Sequence, residues 1–380
     1  MKKFIYADNA ATTKLDTDAF EAMKPFLLED FANISQPYSF SRRAKKAIRA
    51  AREVIASCVN AEPDEIYFTS GGTESDNWVI KGISAENFGK KPIITSSFEH
   101  HAILNACRAI ERLGYPVGYI DPDSTGHVLP NSINRVITNN TILVSIMMAN
   151  NELGTLQDIA SLSKIAHSNG ALFHTDAVQA VGHVKVDVRA LGVDFLSASA
   201  HKFNGPKGIG FLYINKAVKD KAIFAPLHDG GQQEFGLRAG TENVASIVAM
   251  AKALENNCAL MSEYIEKLKF LEESLLNGLN EANISFVRNG EGPHLPGVLN
   301  LSFKMEGEVM MHRLDLKGIM VSTGAACDSK NTVISHVLQA IQVDVARAKN
   351  AIRISLSKEN TEEDIHDIIV AISSVLTDEK

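Results

Sequence analysis

Between about residues 65 and 214 the chain alternates short apolar, β-type runs with helical stretches, and this alternation restricts the fold more than any other feature of the sequence. Runs at 65–69, 92–96, 116–120, 141–148, 171–174, 195–198 and 208–214 read as strands. Stretches at 74–86, 101–113 and 158–168 carry helical periodicity between them. Strands separated by helices must cross over to pair, so the pattern predicts an α/β fold with a mostly parallel seven-stranded sheet, covered on both faces. Only a short Gly/Pro stretch separates the last two runs, which lets one of them lie antiparallel.

The pattern then changes. Residues 243–279 read as one long helix with a bend. Beyond it, strands are expected at 298–303 and 352–355 and helices at 306–316, 334–341 and 361–376, with Thr361 and Asp364 spaced as a capping box. This is a smaller α+β unit. We divide the chain into a large domain, 15–255, and a small domain built from 1–14 and 256–380. The length, 380 residues, accommodates two or three domains at roughly 100–200 residues each.

Composition narrows the function classes. The formal net charge is −7, from 38 Lys+Arg against 45 Asp+Glu, so no bulk charge favours direct nucleic-acid binding. No apolar run reaches the ~18 residues of a membrane span, and the N-terminal apolar run, broken at Asp8, is too short for a signal peptide. A reducing cytoplasm is the expected compartment. The four cysteines, Cys58, Cys107, Cys258 and Cys327, are dispersed with no CxxC pair, which argues against a disulfide framework or zinc module. Three sit in helical patterns and are expected to be buried; Cys327 lies in a small, polar stretch where a thiol would be accessible.

Several residues carry chemistry. Thr69-Ser70-Gly71-Gly72-Thr73-Glu74-Ser75 runs from a strand into a helix, where glycines and free amide groups suit an anion; a tight turn with Thr73 as N-cap explains it equally well. Asp176 ends a strand, where it is either a partner for a cationic ring nitrogen or an ordinary helix cap. Lys202, in Ser199-Ala200-His201-Lys202, becomes a nucleophilic amine if desolvated, and otherwise is a surface lysine. His100 follows a strand and suits stacking or proton transfer better than metal binding, because His100 and His101 are adjacent and no HExxH is present. Arg353 interrupts an apolar strand and calls for an anionic partner.

Taken in order, a phosphate cup, a histidine, a strand-end aspartate and a lysine about 26 residues later resemble the layout of fold-type I pyridoxal-phosphate transferases. Nearly the whole chain, from Ala7-Asp8-Asn9-Ala10-Ala11-Thr12-Thr13 to Arg353, resembles the cysteine desulfurases of the NifS/IscS group in the class-V aminotransferase family; the motifs are TSGGTESDN, NNELG, HTDAVQ, SAHK, LRAGTEN and STGAACDS. The resemblance implies pyridoxal 5′-phosphate in Schiff-base linkage to Lys202, with Asp176 on the ring nitrogen, Gln179 on the ring oxygen and His100 stacked on the ring. It implies Gly72, Thr73, Ser199 and His201 around the phosphate, and Thr241 reaching the phosphate of a partner subunit, hence a homodimer. Asn151 would lie beside cofactor and substrate, Arg353 would bind the substrate carboxylate, and Cys327 would be the nucleophile. His100 would help to deprotonate the Cys327 or substrate thiol. The implied reaction converts L-cysteine to L-alanine and holds the sulfur as a Cys327 persulfide. A protein acceptor such as a scaffold or thiolation enzyme would receive it, for iron–sulfur assembly, tRNA thiolation or DNA phosphorothioation.

The distance from Cys327 to the helix near Ser335 resembles the members that carry the cysteine on an extended, moving loop. The stretch 33–42 departs from the family's NPSSxHxxGR, with Ile34, Gln36, Tyr38 and Ser41 in place of Pro, Ser, His and Gly; in the family it lies near the substrate entrance. Selenocysteine lysis, or another fold-type I reaction, shares Lys202 but does not require Cys327. A sulfur-handling adaptor would bind no pyridoxal phosphate.

Overall fold

The computed structural model describes residues 4–219, 223–323 and 334–377. Cys327 lies outside the described residues.

The seven expected strands all form and make one sheet: β2 (Ile66–Thr69), β3 (Ile93–Ser96), β4 (Val117–Ile120), β5 (Leu143–Ser145), β6 (Leu172–Asp176), β7 (Phe195–Ser199) and β8 (Gly210–Ile214). Their order is β2-β8-β7-β6-β5-β3-β4, and β8 alone runs antiparallel to its neighbours. The central strands are apolar and buried on both faces, as helices on both sides require. Because β2, β3, β5, β6 and β7 point the same way, Thr69, Ser96, Ser145, Asp176 and Ser199 end at one edge. In open α/β sheets that edge carries the site.

The second unit is built on the antiparallel strands β9 (Val287–Arg288), β10 (Val298–Ser302) and β12 (Ala351–Ser355), beside a two-stranded parallel pair of β1 (Ile5–Tyr6) and β11 (Ile319–Met320). Its own core joins Ile5 and Ala7 to Leu271, Leu299, Ile352 and Ile368. The expected long helix is two: Val244–Ala259 packs on Thr17–Leu28 and Arg42–Val59, whereas Met261–Glu281 packs on Glu362–Thr377. They are separated at Leu260, whose φ/ψ of −109/14 leaves the helical range. The capping box forms: Thr361 N donates to Asp364 at 3.1 Å and Asp364 N to Thr361 Oγ1 at 3.2 Å.

The N-terminal segment ties the two units together. Ser355 N donates to Ala7 O at 2.7 Å on one side, and on the other Thr13 N donates to His201 O at 2.9 Å. This places Asp8–Thr12 across the strand ends.

Candidate active site

The turn after β2 is where an anion fits. Gly71 is the N-cap of the helix Gly72–Ala85, with φ of +148° and no side-chain cap, so the helix's first amide groups have no side-chain acceptor. A Cβ on Gly72 would stand 2.5 Å from Val178 Cγ2, and one on Gly71 would stand 3.3 Å from Ser199 Oγ. The glycines therefore bring this turn against the β6 and β7 ends. Thr73 is exposed and is not the cap, which removes the plain-turn reading of that residue. His201 lies close by; its Nδ1 meets Thr12 Oγ1 at 3.1 Å. Burial and the Lys202 charge push its pKa down to about 4, so the ring is neutral at physiological pH.

Lys202 ends the short turn Ala200–Lys202 after β7. Its Nζ donates to Ala10 O at 2.7 Å and Ala11 O at 2.9 Å, and Gln179 Nε2 donates to the same Ala10 carbonyl at 2.9 Å. Lys202 is thus turned into the interior edge of the site, not out to bulk solvent.

Asp176, 5% exposed, faces this lysine and His100. Burial raises its pKa, and His100, the Val178 amide at 2.9 Å and Lys202 oppose the rise. A buried carboxyl beside two basic groups suits a cationic ring nitrogen. His100 is the N-cap of the helix His101–Glu111: its Nδ1 accepts from Ala102 N at 3.1 Å. Burial lowers its pKa, so the ring is neutral and its proton sits on Nε2. The free lone pair is already engaged. This narrows proton transfer: His100 can orient a group from Nε2–H, but to accept a proton it must first give up the Ala102 bond.

Behind Asp176 lies a buried layer that the sequence reading missed. Ligand-type atoms of Asp76, His100 and Asp176 all lie within 4.8 Å of one another. Burial and the nearby Asp176 hold the Asp76 pKa well above the carboxylate range. His174 is pushed down to about 3 by burial and bonds Ser145 Oγ at 2.8 Å and Ser197 Oγ at 3.0 Å. It is therefore neutral, and its 3.7 Å approach to Asp76 is no ion pair. Asp76 was detectable, since it stands four residues after Gly72 and hence on the same helix face.

Arg353 on β12 reaches the site from the second unit. Nη2 donates to Asp8 Oδ1 at 2.6 Å and Nη1 to Asn151 O at 2.7 Å, while the buried Nε has no partner among the described residues. An unpaired guanidinium donor of this kind fits a carboxylate. The expected anionic partner is present as Asp8, and the same bonds bring Asn151 to the site. Thr241 is exposed, just before the helix Val244–Ala259.

An uncapped helix start, a strand-end lysine and a buried carboxyl on one sheet edge define a pyridoxal-phosphate enzyme of fold-type I, and these residues fit the phosphate, aldehyde and ring nitrogen of that group. Residues 5–368 match the family "Aminotransferase class-V". A protein of Dictyoglomus turgidum named cysteine desulfurase IscS is 46% identical over 99% of this chain and 95% of its own. Among solved structures, a NifS-like protein superposes with a TM-score of 0.92 at 36% identity, covering 99% of this chain and all (100%) of the other. A structure titled SspA in complex with cysteine does so with a TM-score of 0.84 at 35% identity, over 94% of this chain and 100% of that one. The chain belongs to the class-V aminotransferase family, in its NifS/IscS cysteine desulfurase group.

Proposed function

We propose that this pyridoxal-phosphate-dependent cysteine desulfurase takes the sulfur of L-cysteine onto Cys327 and releases L-alanine. The observation that carries the reading is the convergence of Lys202, Asp176 and His100 at the strand ends, beside the uncapped Gly71–Gly72 turn. Bound there, pyridoxal phosphate supplies an electron sink for negative charge at the amino acid's Cα.

The residues divide the remaining work. Gly72, Thr73, Ser199 and His201 hold the phosphate. Ionised Asp176 keeps the ring nitrogen protonated, and Gln179 faces the ring oxygen. Arg353 and Asn151 fix the substrate carboxylate, which sets the Cα–H bond toward Lys202. Lys202 takes that proton on Nζ. His100 would stack on the ring and orient a polar group from Nε2–H. The Cys327 thiolate then attacks the substrate sulfur: an S–S bond forms, and the C–S pair stays with the carbon that becomes alanine's methyl group. A thiol of pKa about 8.5 is only a few per cent ionised at neutral pH, so loss of the Cys327 proton is a controlled step.

We read the chain as a homodimer, with exposed Thr241 reaching the partner's phosphate site, working in a reducing cytoplasm. The acceptor is a protein, consistent with the net charge of −7. The division into 15–255 and 1–14 with 256–380 is supported by the separate core around β10 and β12.

The test is turnover of purified protein on L-cysteine with a thiol reductant. Alanine and sulfide are expected in equal amounts, and Lys202→Ala is expected to abolish both together with the visible cofactor absorbance. Pyruvate in place of alanine, or turnover that survives Lys202→Ala, contradicts the assignment.

A further inference from the structure

Two arginine–carboxylate forks fasten the segment before Thr241 to the strand that leads into the Gly71–Gly72 turn. Glu234 accepts from the Phe68 amide at 2.9 Å and from Arg52 at 2.7 and 2.8 Å. Glu74 accepts from the Ser70 amide at 2.8 Å and from Arg238, Nε to Oε1 at 2.8 Å and Nη2 to Oε2 at 3.1 Å. Phe68 and Ser70 are alternate residues at the end of β2 and just beyond it, and β2 pairs only with β8, so both amides open on the sheet's free edge.

The Glu74–Arg238 fork joins two places that matter. Glu74 stands in the first turn of the helix Gly72–Ala85, and Arg238 precedes Thr241 by three residues. Both side chains are sheltered, at 8% and 22% exposure, so the pair is screened less than a surface ion pair. Burial opposes ionisation of Glu74, yet the bonds from Arg238 and Ser70 hold its pKa below the usual carboxylate range. Gly240 N donates to Gln233 Oε1 at 3.2 Å, which shapes the chain between Arg238 and Thr241.

We propose that Arg238, held by Glu74, is a positioning residue for the cofactor phosphate: it sets the segment that presents Thr241, and so ties each subunit's own phosphate turn to the residue it lends to its partner. The proposal rests on the reading of Thr241 given above.

The test strips the full-length enzyme of cofactor with hydroxylamine. It then refills the enzyme with pyridoxal phosphate or with pyridoxal, which lacks the phosphate, and reads each affinity from the Schiff-base absorbance. Arg238→Gln is expected to weaken pyridoxal phosphate by about tenfold or more and pyridoxal by less than about twofold. Thr241→Ala is expected to do the same, and the double variant to lose no more than about threefold beyond either single one. Arg238→Lys, which keeps the charge but not the fork, is expected to act in the same direction and serves if Arg238→Gln does not fold. Equal losses for the two ligands would make the fork a plain structural tie, and additive losses would make Arg238 independent of Thr241; either overturns the proposal. A phosphate-specific loss in Thr241→Ala without one in the Arg238 variants overturns the proposal alone. No loss in Thr241→Ala overturns the reading of Thr241 and the proposal with it.

Discussion

At the residue scale the site depends on which of two buried carboxyls keeps its proton. Asp76 and Asp176 present oxygens within 4.8 Å of each other and of His100, away from water. Two such carboxylates do not both ionise. Asp176 has Lys202 and the Val178 amide to favour its charge, whereas burial and the neighbouring Asp176 oppose charge on Asp76. This favours Asp76 as the protonated partner and leaves Asp176 as the anion proposed to face the ring nitrogen. Asparagine is a near-isosteric mimic of a protonated aspartate. Asp76→Asn is accordingly expected to change kcat by less than about threefold, whereas Asp176→Asn lowers it by about a hundredfold or more. Steady-state kinetics with the cofactor spectrum checks both; a large loss in Asp76→Asn would mean that Asp76 carries charge. Lys202, Asp176 and His100 were legible because strand ends in an α/β sheet are where functional groups collect. Asp8 and His174 were not, because their importance lies in contacts to residues far along the chain; Asp76 was within reach, on the same helix face as Gly72, but its contact with Asp176 was not.

At the scale of elements, the sheet was legible because buried parallel strands leave unbroken apolar runs, and the capping box because its spacing is local. The break at Leu260 was not: neither Gly nor Pro marks it, and apolar periodicity continues through it. The break exists because the two helices pack against different partners. A similar tertiary link holds the helix His336–Ala340. Ser335 accepts from Val337 N at 3.1 Å and Leu338 N at 3.3 Å while donating to buried Glu152 at 2.5 Å. Ser335→Ala removes the cap and strips a partner from Glu152, whose pKa burial already raises. The expected cost is about 1–3 kcal/mol, read from the denaturant midpoint with an unchanged m-value. A loss near zero would mean that the Glu152 contact contributes nothing.

At the scale of the whole molecule, one unit supplies Lys202, Asp176 and His100 and the other supplies Arg353, with Asp8–Thr12 laid between them. Sequence distance hid this closure. Cys58 and Cys258 were expected in the interior, yet they come out half-buried where two helices touch; helical periodicity gives a face but not the depth of its neighbour. The central claim is that sulfur leaves cysteine as a protein-bound persulfide on one thiol among four. Its most direct measurement is mass mapping of the holoenzyme after one anaerobic turnover of L-cysteine without reductant. One added sulfur atom on the Cys327 peptide, alanine equal to the enzyme sites, and no adduct in Cys327→Ser are expected. One equivalent of alanine with the sulfur found free as sulfide, and Cys327 unmodified, would contradict it.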